Sequence, residues 1–177
     1  MAVLTAAVIA VGLLCLLDLL LTFGVIRRLR QHTELLSSHS DDVPVLSLRA
    51  GDRPVEFAAT AADGAQVSGP AGLRVVAFFS SSCSVCPLKA PEFVAYVRDN
   101  QLPRDAVLAV LLADESASVP YADQVAEVAT LTRQAAGGEL ATAFGVQGYP
   151  AFCVLDADGT VEATSYSPAQ LPALVPA

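Results

Sequence analysis

Positive charge is scarce in this chain. Ten lysines and arginines face eighteen aspartates and glutamates, a net charge of −8 over 177 residues. Arg27, Arg28 and Arg30 flank an apolar stretch whose single acid is Asp18; with these four set aside, 17 acids and seven bases remain beyond residue 30, a net charge of −10. Such a surface repels a phosphate backbone, which excludes nucleic acid as a partner. Lysine occurs once, at Lys89, and tryptophan not at all. The two histidines, His32 and His39, fall in a polar stretch and read as solvated linker residues, with metal binding there as the alternative. Four cysteines, Cys15, Cys83, Cys86 and Cys153, are too few and too unevenly spaced for the disulfide framework of a small secreted protein. No internal repeat or low-complexity block is present. The length suits one compact domain plus an anchor and is too short for two full domains.

What the chain does have is concentrated between Val75 and Pro91. Val75-Val76-Ala77-Phe78-Phe79 is an apolar, β-branched and aromatic run that predicts a buried strand; Ser80-Ser81-Ser82 predicts a turn, and a helix is expected to begin near Cys83. Cys83 and Cys86 then sit at a helix N-terminus. Free N–H groups and the helix dipole stabilise a thiolate there, bringing a cysteine pKa from ~8.5 into the range ~3.5–7.5. Cys83 is the expected nucleophile. Cys86, one turn further on, is close enough to close a disulfide with it.

Residues 2–26 are almost wholly apolar, interrupted by Thr5, Gly12, Asp18, Thr22 and Gly24. As a helix they would span about 37 Å at ~1.5 Å per residue, more than the ~30 Å of a hydrocarbon core. No basic residues precede the run and no small-x-small site follows it, which favours an uncleaved transmembrane anchor over a signal peptide. Asp18 inside such an anchor costs ~2.5–3.5 kcal/mol and shares a helix face with Cys15. That face could meet a polytopic membrane partner; the alternatives are a protonated Asp18 or a self-association seam. Residues 27–50 are expected to be a juxtamembrane linker, and 51–177 the folded domain. The three arginines after the anchor would by charge alone leave that domain in the cytoplasm.

Within the domain, strands are expected at Val55–Thr60, Gln66–Ser68, Leu73–Ser80, Ala106–Ala113, Pro150–Asp156 and Thr160–Tyr166. Asp63-Gly64 and Asp156-Ala157-Asp158-Gly159 mark the hairpin turns. Helices are expected from Cys83 to about Asn100, kinked at Pro91, over Val119–Glu127 and over Glu139–Phe144. Val128–Thr132 reads equally as a short strand or as the end of the preceding helix. The proline-rich tail from Ser167 can hold at most a stubby helix.

Taken together, the strand, the Cys-x-x-Cys, the proline five residues later, the parallel strand and Gly145-Val146-Gln147-Gly148-Tyr149-Pro150 resemble the thioredoxin-like fold. The likeness is strongest to the membrane-anchored TlpA-like thiol-disulfide oxidoreductases, MauD-like members included. This resemblance implies an α/β domain with a central mixed sheet flanked by helices, preceded by one N-terminal transmembrane helix. It makes Cys83 and Cys86 the redox-active disulfide and Pro150 the cis-proline beside it, with the backbone of Tyr149 pairing strand-fashion with the client. An ordinary trans turn at Tyr149-Pro150 is the competing expectation. It also implies an extracytoplasmic domain, a disulfide-containing client protein, a membrane electron donor or acceptor, and no cofactor. Two departures stand out. Ser82 occupies the position before the first cysteine where tryptophan is common, and Ala77 the position of thioredoxin's buried aspartate. Glu92 is then a candidate base for Cys86 by proximity alone, and Cys153 is expected to be a small buried hydrophobe. Two rival readings fit less well. A peroxiredoxin would need a proline where Val76 stands, and a Sco-like copper chaperone would need three residues between its cysteines and a histidine in the domain.

Overall fold

The computed structural model describes residues 45–114 and 117–174, together with Met1 and Gly12. The expected anchor at 2–26, with Cys15 and Asp18, and the linker histidines His32 and His39 lie outside the described residues. Among the described residues no helix is long and apolar enough to cross a membrane.

Among the described residues from 45 on, seven strands and three α-helices follow in order: β1 (Phe57–Thr60), β2 (Gln66–Gly69), β3 (Val75–Ser80), α1 (Cys86–Asp99), β4 (Val107–Leu112), α2 (Ala122–Ala126), β5 (Thr130–Gln134), α3 (Glu139–Ala143), β6 (Ala151–Leu155) and β7 (Val161–Ser165). Single 3-10 turns lie at Arg104–Ala106 and Pro168–Gln170. β1 and β2 form an antiparallel hairpin, and the remaining strands a five-stranded sheet in the order β5-β4-β3-β6-β7. β3, β4 and β5 run parallel, whereas β6 and β7 are antiparallel additions. The expected mixed sheet flanked by helices is what forms.

β3 is central, and all six of its residues are buried, which is why the first five read as an unbroken apolar run. Alternate residues point to opposite faces. Val75, Ala77 and Phe79 pack under α1 and α2 with Phe93, Val97, Tyr121 and Phe152, whereas Val76 and Phe78 face Leu46, Leu140, Phe144 and Cys153. Phe79 touches three rings, with centroids 5.7 Å from Phe93, 5.6 Å from Tyr121 and 5.7 Å from Phe152. Offset and edge-to-face aromatic contacts of this kind add about 0.5–1.5 kcal/mol per pair beyond area burial.

Most expected elements form a residue or two shorter than drawn. The helix after the cysteines differs for a definite reason: it begins at Cys86, because Ser80 and Cys83 first make a turn and Pro87 occupies the opening helical turn, where its missing N–H costs nothing. Pro91 lies inside α1, which continues to Asp99. The ambiguous stretch after α2 is a strand, β5. A second cis bond, Gly69-Pro70, accompanies Tyr149-Pro150. Residues 45–50, drawn as the end of the linker, lie against the domain, where Leu46 is fully buried.

Candidate active site

The register of the sheet assembles the site. Ala151 pairs with Phe78, so Pro150 comes level with the end of β3 from which the cysteine loop leaves. Cys83 and Cys86 are joined in a disulfide, their Cα atoms 5.4 Å apart. Cys83 is half-buried and Cys86 fully buried, so only the first sulfur is open to attack from outside. The Cys86 N–H points at Cys83 Sγ at 3.1 Å, so the sulfur takes the capping place that no side-chain oxygen fills. Cys83 Sγ also lies 3.5 Å from the carbonyl oxygen of Tyr149, across a bond to Pro150 that is cis.

Ser80 pins the loop. Its carbonyl accepts from the Cys83 N–H at 3.1 Å and from the Tyr121 hydroxyl at 3.2 Å, while its Oγ lies 3.0 Å from Ser82 Oγ. Burial raises the pKa of Tyr121, which keeps that hydroxyl a donor. Ser82 thus binds the turn. Near Cys83 in the chain, the exposed Ser82 and Ser84 alternate with apolar surface, Val85 being 44% exposed and Leu88 69% exposed, and Tyr149 is half-buried with its phenol pKa raised by burial.

Ala77 is buried under α1, so no carboxylate stands behind Cys86 from β3. Both Glu92 carboxylate oxygens accept from Lys89 Nζ, at 3.0 and 2.7 Å, and Lys89 Nζ also donates to Ser167 Oγ at 3.1 Å. The carboxylate is therefore engaged in a surface ion pair on α1. Cys153 is a buried free thiol on the face of the sheet opposite Cys86, and burial pushes its pKa up to about 12. It packs as the small hydrophobe expected of it. Among the described residues no three His, Cys, Asp or Glu side chains come together as a metal site.

Sequence reading did not anticipate Tyr121 or the segment 45–48. The signal for Tyr121 was available in principle, because a tyrosine among buried apolar residues needs a hydrogen-bond partner.

No family model and no curated relative matches the sequence; the likeness is to solved structures. A candidate thiol:disulfide interchange protein DsbE from Chlorobium tepidum is 25% identical, with 67% of this chain and 85% of that one covered and a TM-score of 0.52. A secreted disulfide oxidoreductase from Mycobacterium tuberculosis, homologous to Escherichia coli DsbE, is 24% identical over 68% of this chain and 87% of its own, with a TM-score of 0.50. A thiol-disulfide oxidoreductase from Bacteroides fragilis is 15% identical over 64% and 89%, with a TM-score of 0.53. The fold is thioredoxin-like. A thioredoxin-like fold carrying a disulfide-bonded Cys-x-x-Cys at the start of its first helix is the architecture of a thiol-disulfide oxidoreductase.

Proposed function

We propose that this protein is a membrane-tethered thiol-disulfide oxidoreductase that exchanges disulfides with protein clients on the extracytoplasmic side, in the manner of TlpA-like and MauD-like proteins. One observation carries the chemistry: the disulfide presents its half-buried sulfur, Cys83, against the carbonyl of Tyr149 while Cys86 stays buried. The solved structures of similar fold include a thiol:disulfide interchange protein and disulfide oxidoreductases, which supports this reading. The tether rests on the apolar run 2–26, and the extracytoplasmic side on the resemblance to the anchored family, against the bias of Arg27, Arg28 and Arg30.

The reaction balances as a two-electron exchange. Reduced Cys83, as thiolate, attacks one sulfur of a client disulfide, which releases one client thiolate and forms a mixed disulfide. Cys86 loses its proton to solvent or to the departing client thiolate and attacks Cys83 Sγ. The second client thiol leaves, and Cys83-Cys86 is oxidised. A membrane donor, met through the anchor face of Cys15 and Asp18, would return the two electrons. Run backwards with an acceptor, the same steps insert a disulfide.

Redox titration of the full chain in detergent, with thiol trapping, tests the proposal. A potential near ~−270 mV or below marks a reductant and one near ~−120 mV a disulfide donor. Failure of Cys83 and Cys86 to interconvert at any poise would overturn the oxidoreductase reading. Protease protection of the domain in spheroplasts and inverted vesicles decides the membrane side.

A further inference from the structure

The backbone just ahead of the domain is hydrogen-bonded to the loop that carries Tyr149 and Pro150. The Ser47 N–H donates to the Gly145 carbonyl at 2.8 Å. The Val45 carbonyl accepts from Gln147 N–H at 2.8 Å and from Gly148 N–H at 3.3 Å, and between them Leu46 and Val146 form an antiparallel bridge. Leu46 itself is fully buried in the cluster that holds Phe78, Leu140 and Phe144.

The fit is close at the Ser47 end. Gly145 has φ +59°, and a Cβ built there would fall on Ser47 Oγ. A left-handed residue that must also admit a neighbouring side chain is restricted to glycine. Gly148 faces the Val45 side chain, whose Cγ1 would lie 3.9 Å from an added Cβ. The next residue along is Tyr149, whose carbonyl touches Cys83 Sγ. From Val45 to the reactive sulfur the route is therefore two links long: Val45 to Gln147 and Gly148, then Tyr149 to Cys83.

We propose that Val45, Leu46 and Ser47 are positioning residues for client exchange, a brace that holds Gly145–Gly148 so that the Tyr149 backbone is presented to an incoming extended client. The inference rests on the oxidoreductase reading and adds that the segment leading into the domain takes part in client selection. The physical reason is pre-organisation: a loop already held in its binding conformation loses less freedom when a client strand pairs with it. A small disulfide that meets Cys83 alone has no use for the brace.

Two substrates separate these roles. Ser47→Pro removes the donor to Gly145, and Leu46→Ala, as an independent variant, removes the buried side chain. The full chain in detergent is assayed with dithiothreitol as electron source against insulin, a protein disulfide, and 2-hydroxyethyl disulfide, a small one. Dithiothreitol gives up two electrons in becoming its cyclic disulfide, and each substrate disulfide gains them as two thiols. The ratio of the two kcat/KM values is read for each variant, which cancels any loss of folded protein. The ratio of insulin to small-disulfide activity should fall about tenfold or more, mainly through KM for insulin, as expected when a binding surface is misplaced by an ångström or so. An unchanged ratio in either variant would overturn the brace. Inactivity of the wild-type chain toward both disulfides would instead overturn the oxidoreductase reading itself.

Discussion

The sulfur of Cys83 and the carbonyl oxygen of Tyr149 sit 3.5 Å apart, although 66 residues separate them in the chain. The proposed nucleophile and the backbone proposed to receive a client thereby form one surface, and the buried Cys86 can reach only Cys83. Replacing Cys86 with alanine should leave the client attached to Cys83 as a persistent mixed disulfide. Replacing Cys83 with alanine should give no adduct and no turnover. Non-reducing electrophoresis with mass spectrometry of the trapped species checks both outcomes.

Cys153 should behave as a thiol that solvent cannot reach. Iodoacetamide at pH 8 is expected to label it only after denaturation, even when Cys83 and Cys86 are reduced and Cys83 is labelled readily. Its pKa, pushed by burial from 9.0 to about 12, has a consequence at alkaline pH. Between those values the folded state keeps a proton that the unfolded state releases, so the contribution to stability is complete below pH 9.0 and is lost as pH rises toward 12. Cys153→Ala should flatten that decline in a pH series of denaturant midpoints.

The chain beyond β7 is latched to α1. Asn100 donates through Nδ2 to the Tyr96 carbonyl at 2.8 Å and accepts from Leu174 N–H at 2.6 Å, and Tyr96 donates its hydroxyl to the Pro172 carbonyl at 2.7 Å. Burial is the main reason the Tyr96 phenol is pushed up to about 12, and the nearby Glu162 charge raises it further against the lowering effect of Arg74. Asn100→Ala should cost about 1–3 kcal/mol, because it strips a partner from the Leu174 N–H. Tyr96→Phe should cost about 1 kcal/mol. Urea denaturation measures both, and the two losses should not add, since the residues hold one segment.

Asp156 organises the turn between β6 and β7. Its Oδ1 accepts from Thr160 N–H at 2.8 Å and Asp158 N–H at 2.9 Å, and these bonds, that to Thr160 foremost, hold its carboxyl below the usual 3.8. The folded state thus binds the proton less readily than the unfolded one. Stability from this group is present above pH 3.8 and lost as pH falls through its folded pKa. Asp156→Asn should lower the melting temperature at pH 7 and reduce the acid-limb slope, as thermal scans from pH 2 to 7 would reveal.

Local patterns disclosed the centre of this molecule and left its margins dark. β3 was legible because Val75 to Phe79 is an unbroken apolar run, and Pro150 because Gly145 to Pro150 resembles the cis-proline loop of the thioredoxin-like family. β5 was ambiguous: Thr130-Leu131-Thr132-Arg133-Gln134 is short and half polar, and its pairing with β4 is a tertiary fact. The same holds for the contact between Ser47 and Gly145. Val45-Leu46-Ser47-Leu48 follows a polar stretch and is too short to read as an element of its own, and the hydrogen bonds that join it to Gly145–Gly148 are made by backbone, which the side-chain sequence does not encode. Helix α1 began three residues late because a turn at Ser80 outcompeted it, a choice between two local bonding schemes that composition does not rank.

The strand edges of the sheet are partly closed. Ala62 N–H donates to the Leu131 carbonyl at 2.7 Å and Thr132 Oγ1 to the Thr60 carbonyl at 3.0 Å, so the β1–β2 hairpin lies against the outer side of β5; at the other end Gly51 and Asp52 trade backbone bonds with Val161 of β7. An open strand edge invites other chains to add to it indiscriminately. For the proposed exchange with disulfide-containing client proteins, an open edge would be a hazard at every encounter. With the sheet margins occupied, the backbone proposed to receive a client strand is that of Tyr149 beside Cys83, and far fewer bonds are open where a strand could lodge and stay.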